Sequence, residues 1–133
     1  MRLYKVNFTW NSFAEILNKS HLAISMSGTA AEQMVGLGKP VVQIEGKGPQ
    51  FTKLFADAQR RLLGEYVFCC TKYFNRDEQI DGTIDLILRV IYAIKLDNSF
   101  LKNCKQVAKK RIGDRGATIK IADDIQKHIR NDR

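Results

Sequence analysis

The chain has 133 residues, 44% of them apolar and 27% charged, which is the range of one globular domain with a core and excludes a disordered or fibrous chain. No apolar run approaches the roughly 20 residues of a membrane span, and the opening Met1-Arg-Leu-Tyr-Lys-Val-Asn lacks the apolar block and cleavage site of a secretory signal. A cytoplasmic protein is expected. The formal net charge of +8 is uneven: residues 101–133 hold ten Lys/Arg against four Asp/Glu, and residues 1–100 hold twelve against ten.

That basic C-terminal third reads either as a solvated helical face or as a contact for a partner subunit, an anionic membrane surface or a phosphorylated ligand. Nucleic acid is not indicated, because no aromatic-rich basic strand or recognition helix accompanies the charge. Cys69, Cys70 and Cys104 are an odd number, and adjacent Cys69 and Cys70 point to opposite faces of a strand, so buried thiols are expected rather than a disulfide framework.

In chain order, Phe13, Ile16 and Leu17 recur at helical spacing after Asn11-Ser12, a capping pair, and His21–Met26 is a short apolar strand. Ser27-Gly28-Thr29 turns the chain into a helix that Gly36-Leu37-Gly38-Lys39-Pro40 stops. Val41–Ile44 forms a second strand, followed by the glycine loop Gly46-Lys47-Gly48-Pro49. A third helix is expected from about Phe51 to Leu63, with Phe51, Leu54, Phe55, Ala58 and Leu62 on one stripe.

The run "EYVFCC" supplies a third strand before a polar loop, Thr71 to Glu78. From Asp81 the pattern is helical, with Ile84, Leu86, Ile87, Val90, Ile91 and Ile94 in one long helix, and Leu101–Arg111 and Ala117–Ile129 give two more. Alternation of strand and helix predicts a Rossmann-like parallel sheet with helices on both faces, ending in C-terminal helices. In such sheets ligands bind beyond the carboxyl ends of the strands.

The residues from Ser25 to Thr52 hold five of the nine glycines and both prolines, and two of the loops they form follow strand carboxyl ends. At Ser27-Gly28-Thr29 a helix start offers free backbone N–H groups and the positive end of its dipole, which suits phosphate. Thr29-Ala30-Ala31-Glu32 also fits a capping box, so Glu32 is expected to be a cap rather than a base. Gln33, four residues after Thr29, shares its side of the helix and can reach a sugar hydroxyl or remain solvated.

In the second loop Lys47 can meet a phosphate between Gly46 and Gly48, while Gln50, Phe51 and Thr52 open the next helix. No GxxxxGK[ST], GxGxxG or HExxH sequence is present, and His21 and His128 stand alone, so neither a catalytic centre nor a metal site is read.

The stretch "SGTAAEQMVGLGKPVVQIEGKGPQFTKLFADAQRRLLG", with the later "RIGDRGATIKIADDI", resembles the C-terminal, nucleotide-sugar-binding domain of GT-B glycosyltransferases. The likeness is to proteins related to lipid A disaccharide synthase, in their cyanobacterial and plant-type branch, and covers most of the chain.

The resemblance implies a UDP-sugar donor and no other cofactor, with Ser27, Gly28 and Thr29 at the diphosphate. Gln33 falls where related transferases place a glutamate on the ribose, and a neutral amide there is a weaker acceptor than a carboxylate. It also implies that residues 1–133 form a single, incomplete domain. The acceptor domain and the opening strands of the nucleotide domain are not in the sequence, so either a truncated gene or fragment or a second chain that brings the missing half is expected, and exposed edges are expected to promote self-association.

Overall fold

Three triplets led by small or β-branched residues form the sheet: β1 (Ala23–Ser25), β2 (Val41–Gln43) and β3 (Val67–Cys69). The computed structural model describes residues 6–10, 12–46, 48, 52–114 and 116–131. Helices α1 (Phe13–Lys19), α2 (Gly28–Gly36), α3 (Lys53–Leu63), α4 (Arg76–Leu96), α5 (Phe100–Arg111) and α6 (Ala117–Asn131) complete the order.

The sheet is parallel, in the order β1-β2-β3, with Ala23 opposite Val41 and Val41 opposite Val67. These three residues share one face because side chains alternate along a strand. They meet Ala31, Met34 and Val35 of α2, Leu63 of α3 and Ala108 of α5, which make up the core.

Val42, on the opposite face, is also 0% exposed, so the middle strand is covered on both sides. Cys70, whose side chain points to that second face, lies against Gly82 of α4: a β-carbon at Gly82 would sit 2.6 Å from its Sγ. Helices therefore flank the sheet on both faces, as the alternating pattern predicts, but the second cover stops short of β1, where Ile24 is 53% exposed.

Gly38 and Gly64 seat α5; a β-carbon at Gly64 would fall 2.5 Å from Cγ1 of Val107. After α2, the N–H of Gly38 donates to the Val35 carbonyl (2.7 Å) and that of Lys39 to the Met34 carbonyl (3.2 Å), the paired bonds of a Schellman stop. Gly38 itself takes φ +71°, and a β-carbon there would fall 2.4 Å from Cγ of Lys105. The expected glycine stop at residues 36–38 is thus observed.

Three local expectations are corrected. Helix α4 begins at Arg76 rather than Asp81, because the Asn75 side chain accepts from the Glu78 N–H (2.9 Å) while the Glu78 carboxylate accepts from the Phe74 N–H (2.9 Å). On α3 the buried side is Ala56, Gln59 and Leu63, while Leu54, Ala58 and Leu62 face outward. Small Ala56 lets that side approach the sheet, and of the expected stripe Phe55 is half-buried against Gly28 while Leu54, Ala58 and Leu62 are exposed. Finally, the N-cap position of α2 is Ser27, with Thr29 already inside the first turn, so Thr29–Glu32 is not a capping box and Glu32 is exposed.

Candidate binding site at the strand carboxyl ends

Strand β1 ends at Ser25, whose hydroxyl folds the chain over: it donates to the Ser27 carbonyl (2.9 Å) and accepts from the Ser27 N–H (3.1 Å). Ser27 then enters α2 in an extended conformation (φ −119°, ψ 148°), and its own side chain makes no cap hydrogen bond. The first N–H to find a helical carbonyl is that of Ala31, on Ser27 at 3.4 Å. The N–H groups of Gly28, Thr29 and Ala30 have no side-chain acceptor among the described residues, and the dipole of a nine-residue helix lies behind them.

Across this helix start lies α3. A β-carbon on Gly28 would come within 3.3 Å of both Gln59 Nε2 and Phe55 Cζ, so the glycine lets the two helices touch there. Gln59 is 8% exposed, and Gln43, at the end of β2, is 4% exposed. The Oε1 atoms of both glutamines are buried without a hydrogen-bond partner. An unpaired buried amide oxygen costs about 1–3 kcal/mol, so two of them beside one open helix end mark a place where the fold gives up stability.

Glu45, 7% exposed, closes the other side. Its carboxylate accepts from the Tyr73 hydroxyl and from the Cys69 thiol (3.7 Å), linking the ends of β2 and β3. The hydrogen bond to Glu45 raises the phenol pKa of Tyr73. Burial, and then the Glu45 charge, push the Cys69 thiol up to about 12. Ser25, Met26, Gln43, Ile44, Glu45, Thr52, Phe55 and Ala56 surround a void of about 10 Å³. That is room for about one water, so a larger ligand would lie over this polar floor.

Of the residues singled out in the sequence, Ser27, Gly28 and Thr29 stand together at the helix start. Gly46 directly follows Glu45, Gly48 takes φ +121°, and Thr52 caps α3 by accepting from the Phe55 N–H (3.3 Å). Lys47, Gln50 and Phe51 lie outside the described residues. Gln33 lines a different depression, of about 440 Å³, with Glu32, Leu62, Arg111 and Ile112. Gln43, Glu45, Gln59 and Tyr73 were not anticipated, although polar Gln43 and Glu45 within the apolar run "VVQIE" were a readable signal.

A wider hollow of about 560 Å³ opens at the amino end of β3, lined by Arg60, Arg61 and Arg111 with Asp57 and Glu65. Its arginines sit in the last turns of α3 and α5, where cations complement helix carbonyls. No group of three or more His, Cys, Asp or Glu able to hold a metal occurs among the described residues. Comparison with protein-family models, curated proteins and solved structures finds no match to this chain.

Buried Cys104, like Cys69, has its thiol pushed up to about 12, in both cases chiefly by burial. In an unfolded chain such thiols ionise near 9.0. Their contribution to stability is therefore complete below pH 9 and is lost as pH rises towards 12. The urea midpoint of the wild type, relative to a Cys69→Ala/Cys104→Ala variant, should fall from pH 8.5 to 10.5; a constant difference would contradict the burial argument.

Proposed function

We propose that the chain is the nucleotide-contacting part of a GT-B-type glycosyltransferase domain, binding the diphosphate of UDP or a UDP-sugar at the start of α2. The observation that carries this reading is the uncapped helix start at the end of β1, beside the unpaired buried amides of Gln43 and Gln59. Peptide N–H groups and the helix dipole suit phosphate oxygens, and the amide oxygens suit hydroxyl or N–H donors on the rest of the ligand. In this reading the sugar moves from UDP to an acceptor hydroxyl only once another domain supplies the acceptor side, and the chain alone is inactive.

Saturating UDP should raise the melting temperature, because a ligand bound only to the native state stabilises it. Gly28→Val, whose side chain would press on Gln59 and Phe55 and push α3 away from the helix start, should weaken UDP binding at least tenfold. Gln43→Leu should do the same while raising intrinsic stability by about 1 kcal/mol, since it removes an unpaired buried amide. A Gln43→Leu protein that is less stable and binds UDP as before would contradict the site.

A second reading, a module that lies on anionic membranes, is favoured by α6. Ile119, Ile121, Ile125 and Ile129 of this helix are all exposed, and the helix follows in sequence the Lys109-Lys110-Arg111 end of α5. No helix among the described residues is long and apolar enough to cross a membrane. Vesicles containing phosphatidylserine should then sediment the protein at low salt and release it at 0.5 M salt or when those three residues become glutamine. Absence of sedimentation at low salt would exclude the membrane reading.

A further inference from the structure

Strand β1 has a partner on one side only among the described residues. The Ala23 N–H donates to the Pro40 carbonyl (3.3 Å) and the Ser25 carbonyl accepts from the Ile44 N–H (3.1 Å), so odd-numbered residues face β2. The N–H and carbonyl of Ile24 therefore point to the open edge. Edge strands are ordinarily blunted by lysine, proline, bulges or a covering element. From His21 to Ser27 there is no lysine, arginine, acid or proline, and Ile24 and Met26 present exposed apolar side chains.

Residues 6–10, Val-Asn-Phe-Thr-Trp, alternate apolar and polar, the period of a half-buried strand, and are likewise uncharged. In the structure this segment is not in a strand, and Phe8 and Trp10 are 85% and 86% exposed. To lie beside β1 of its own copy, the segment would need α1 to act as the crossover helix seated on the sheet. That helix is held only at its end, where Leu17 packs against the core and Lys39 Nζ donates to the Leu17 (2.7 Å) and Asn18 (2.6 Å) carbonyls; none of its residues is buried, and Phe13 and Ile16 face outward.

We propose that residues 6–10 of one copy pair with the open edge of β1 in a second copy, and reciprocally, forming a strand-exchanged homodimer. The area is sufficient. With about 150–250 Å² per aromatic side chain, Phe8 and Trp10 bring roughly 700 Å² of apolar surface over both copies. Val6, Ile24 and Met26 take the total past the roughly 1,000 Å² that a specific interface needs. A two-fold arrangement uses each edge once and closes, so it ends the exposed sheet rather than propagating it.

Light scattering of the full chain should give twice the chain mass at tens of micromolar. Trp10→Glu and Ile24→Lys should each weaken the dimer at least tenfold while the helical circular dichroism signal is retained, both sites being exposed. Hydrogen exchange should show the Ile24 amide protected in the wild-type dimer and fast in Trp10→Glu. A wild-type monomer overturns the proposal, including one whose Ile24 amide is protected, since that would mean pairing within one copy. A dimer that survives both substitutions also overturns it, because α6 or another surface would then hold the copies together.

Discussion

Gly38→Ala should destabilise the protein by about 2–6 kcal/mol, read as a lower urea midpoint with an unchanged slope. Two costs combine. At φ +71° an alanine carries backbone strain of order 1–3 kcal/mol. Its β-carbon would also lie 2.4 Å from Cγ and 3.0 Å from Cα of Lys105, so α5 itself must shift, and overpacking of this kind costs about 1–3 kcal/mol.

Gly36→Ala is the control. Gly36 is the last helical residue of α2, and a β-carbon there meets only Cγ2 of Ile112 at an ordinary 3.7 Å. Alanine is the better helix former by up to about 1 kcal/mol, so this substitution should be neutral or stabilising. Equal losses at the two positions would mean that Gly38 does not set the distance between α2 and α5. Against a typical domain stability of about 5–15 kcal/mol, the loss at Gly38 is large.

Met34→Ala should cost about 2–5 kcal/mol, the range for deleting a large buried side chain and leaving a cavity. Met34 is fully buried between the sheet and its helical cover, in the cluster formed by Val41, Val67, Leu63 and Ala108. Its carbonyl also accepts the closing bond from Lys39, so the side chain and the turn hold the same point. Leu96→Ala, at an 80% exposed site at the end of α4, should change stability by less than about 0.5 kcal/mol. Similar losses at Met34 and Leu96 would contradict the placement of the core.

The strands were legible because each is an apolar run bounded by glycine, proline or polar residues, and the end of α2 was legible because Gly36 and Gly38 bracket it. The start of α4 was written in Asn75 and Glu78, a capping pattern inside a stretch whose polarity suggested a loop. The buried side of α3 was not legible. Periodicity favoured Leu54 and Leu62, whereas the sheet receives small Ala56 and polar Gln59, a choice made by the fit between helix and sheet.

The candidate site divides in the same way. Ser27-Gly28-Thr29 was visible as a strand-to-helix turn, because local chemistry alone creates it. The grouping of Gln43 and Gln59 near that turn depends on how α3 crosses the start of α2, which no local pattern encodes. Gln33 shows the opposite limit. Its spacing from Thr29 was correct for one side of a helix, yet it lines a depression shared with Arg111 and Ile112.

The most direct test of the UDP site is an amide NMR titration of the whole chain with UDP. The account predicts saturable shifts at Ser27, Gly28, Thr29 and Ala30, with the side-chain amides of Gln43 and Gln59 moving at the same ligand concentrations. Unchanged spectra at millimolar UDP, or shifts confined to the arginine hollow at Arg60, Arg61 and Arg111, would contradict it.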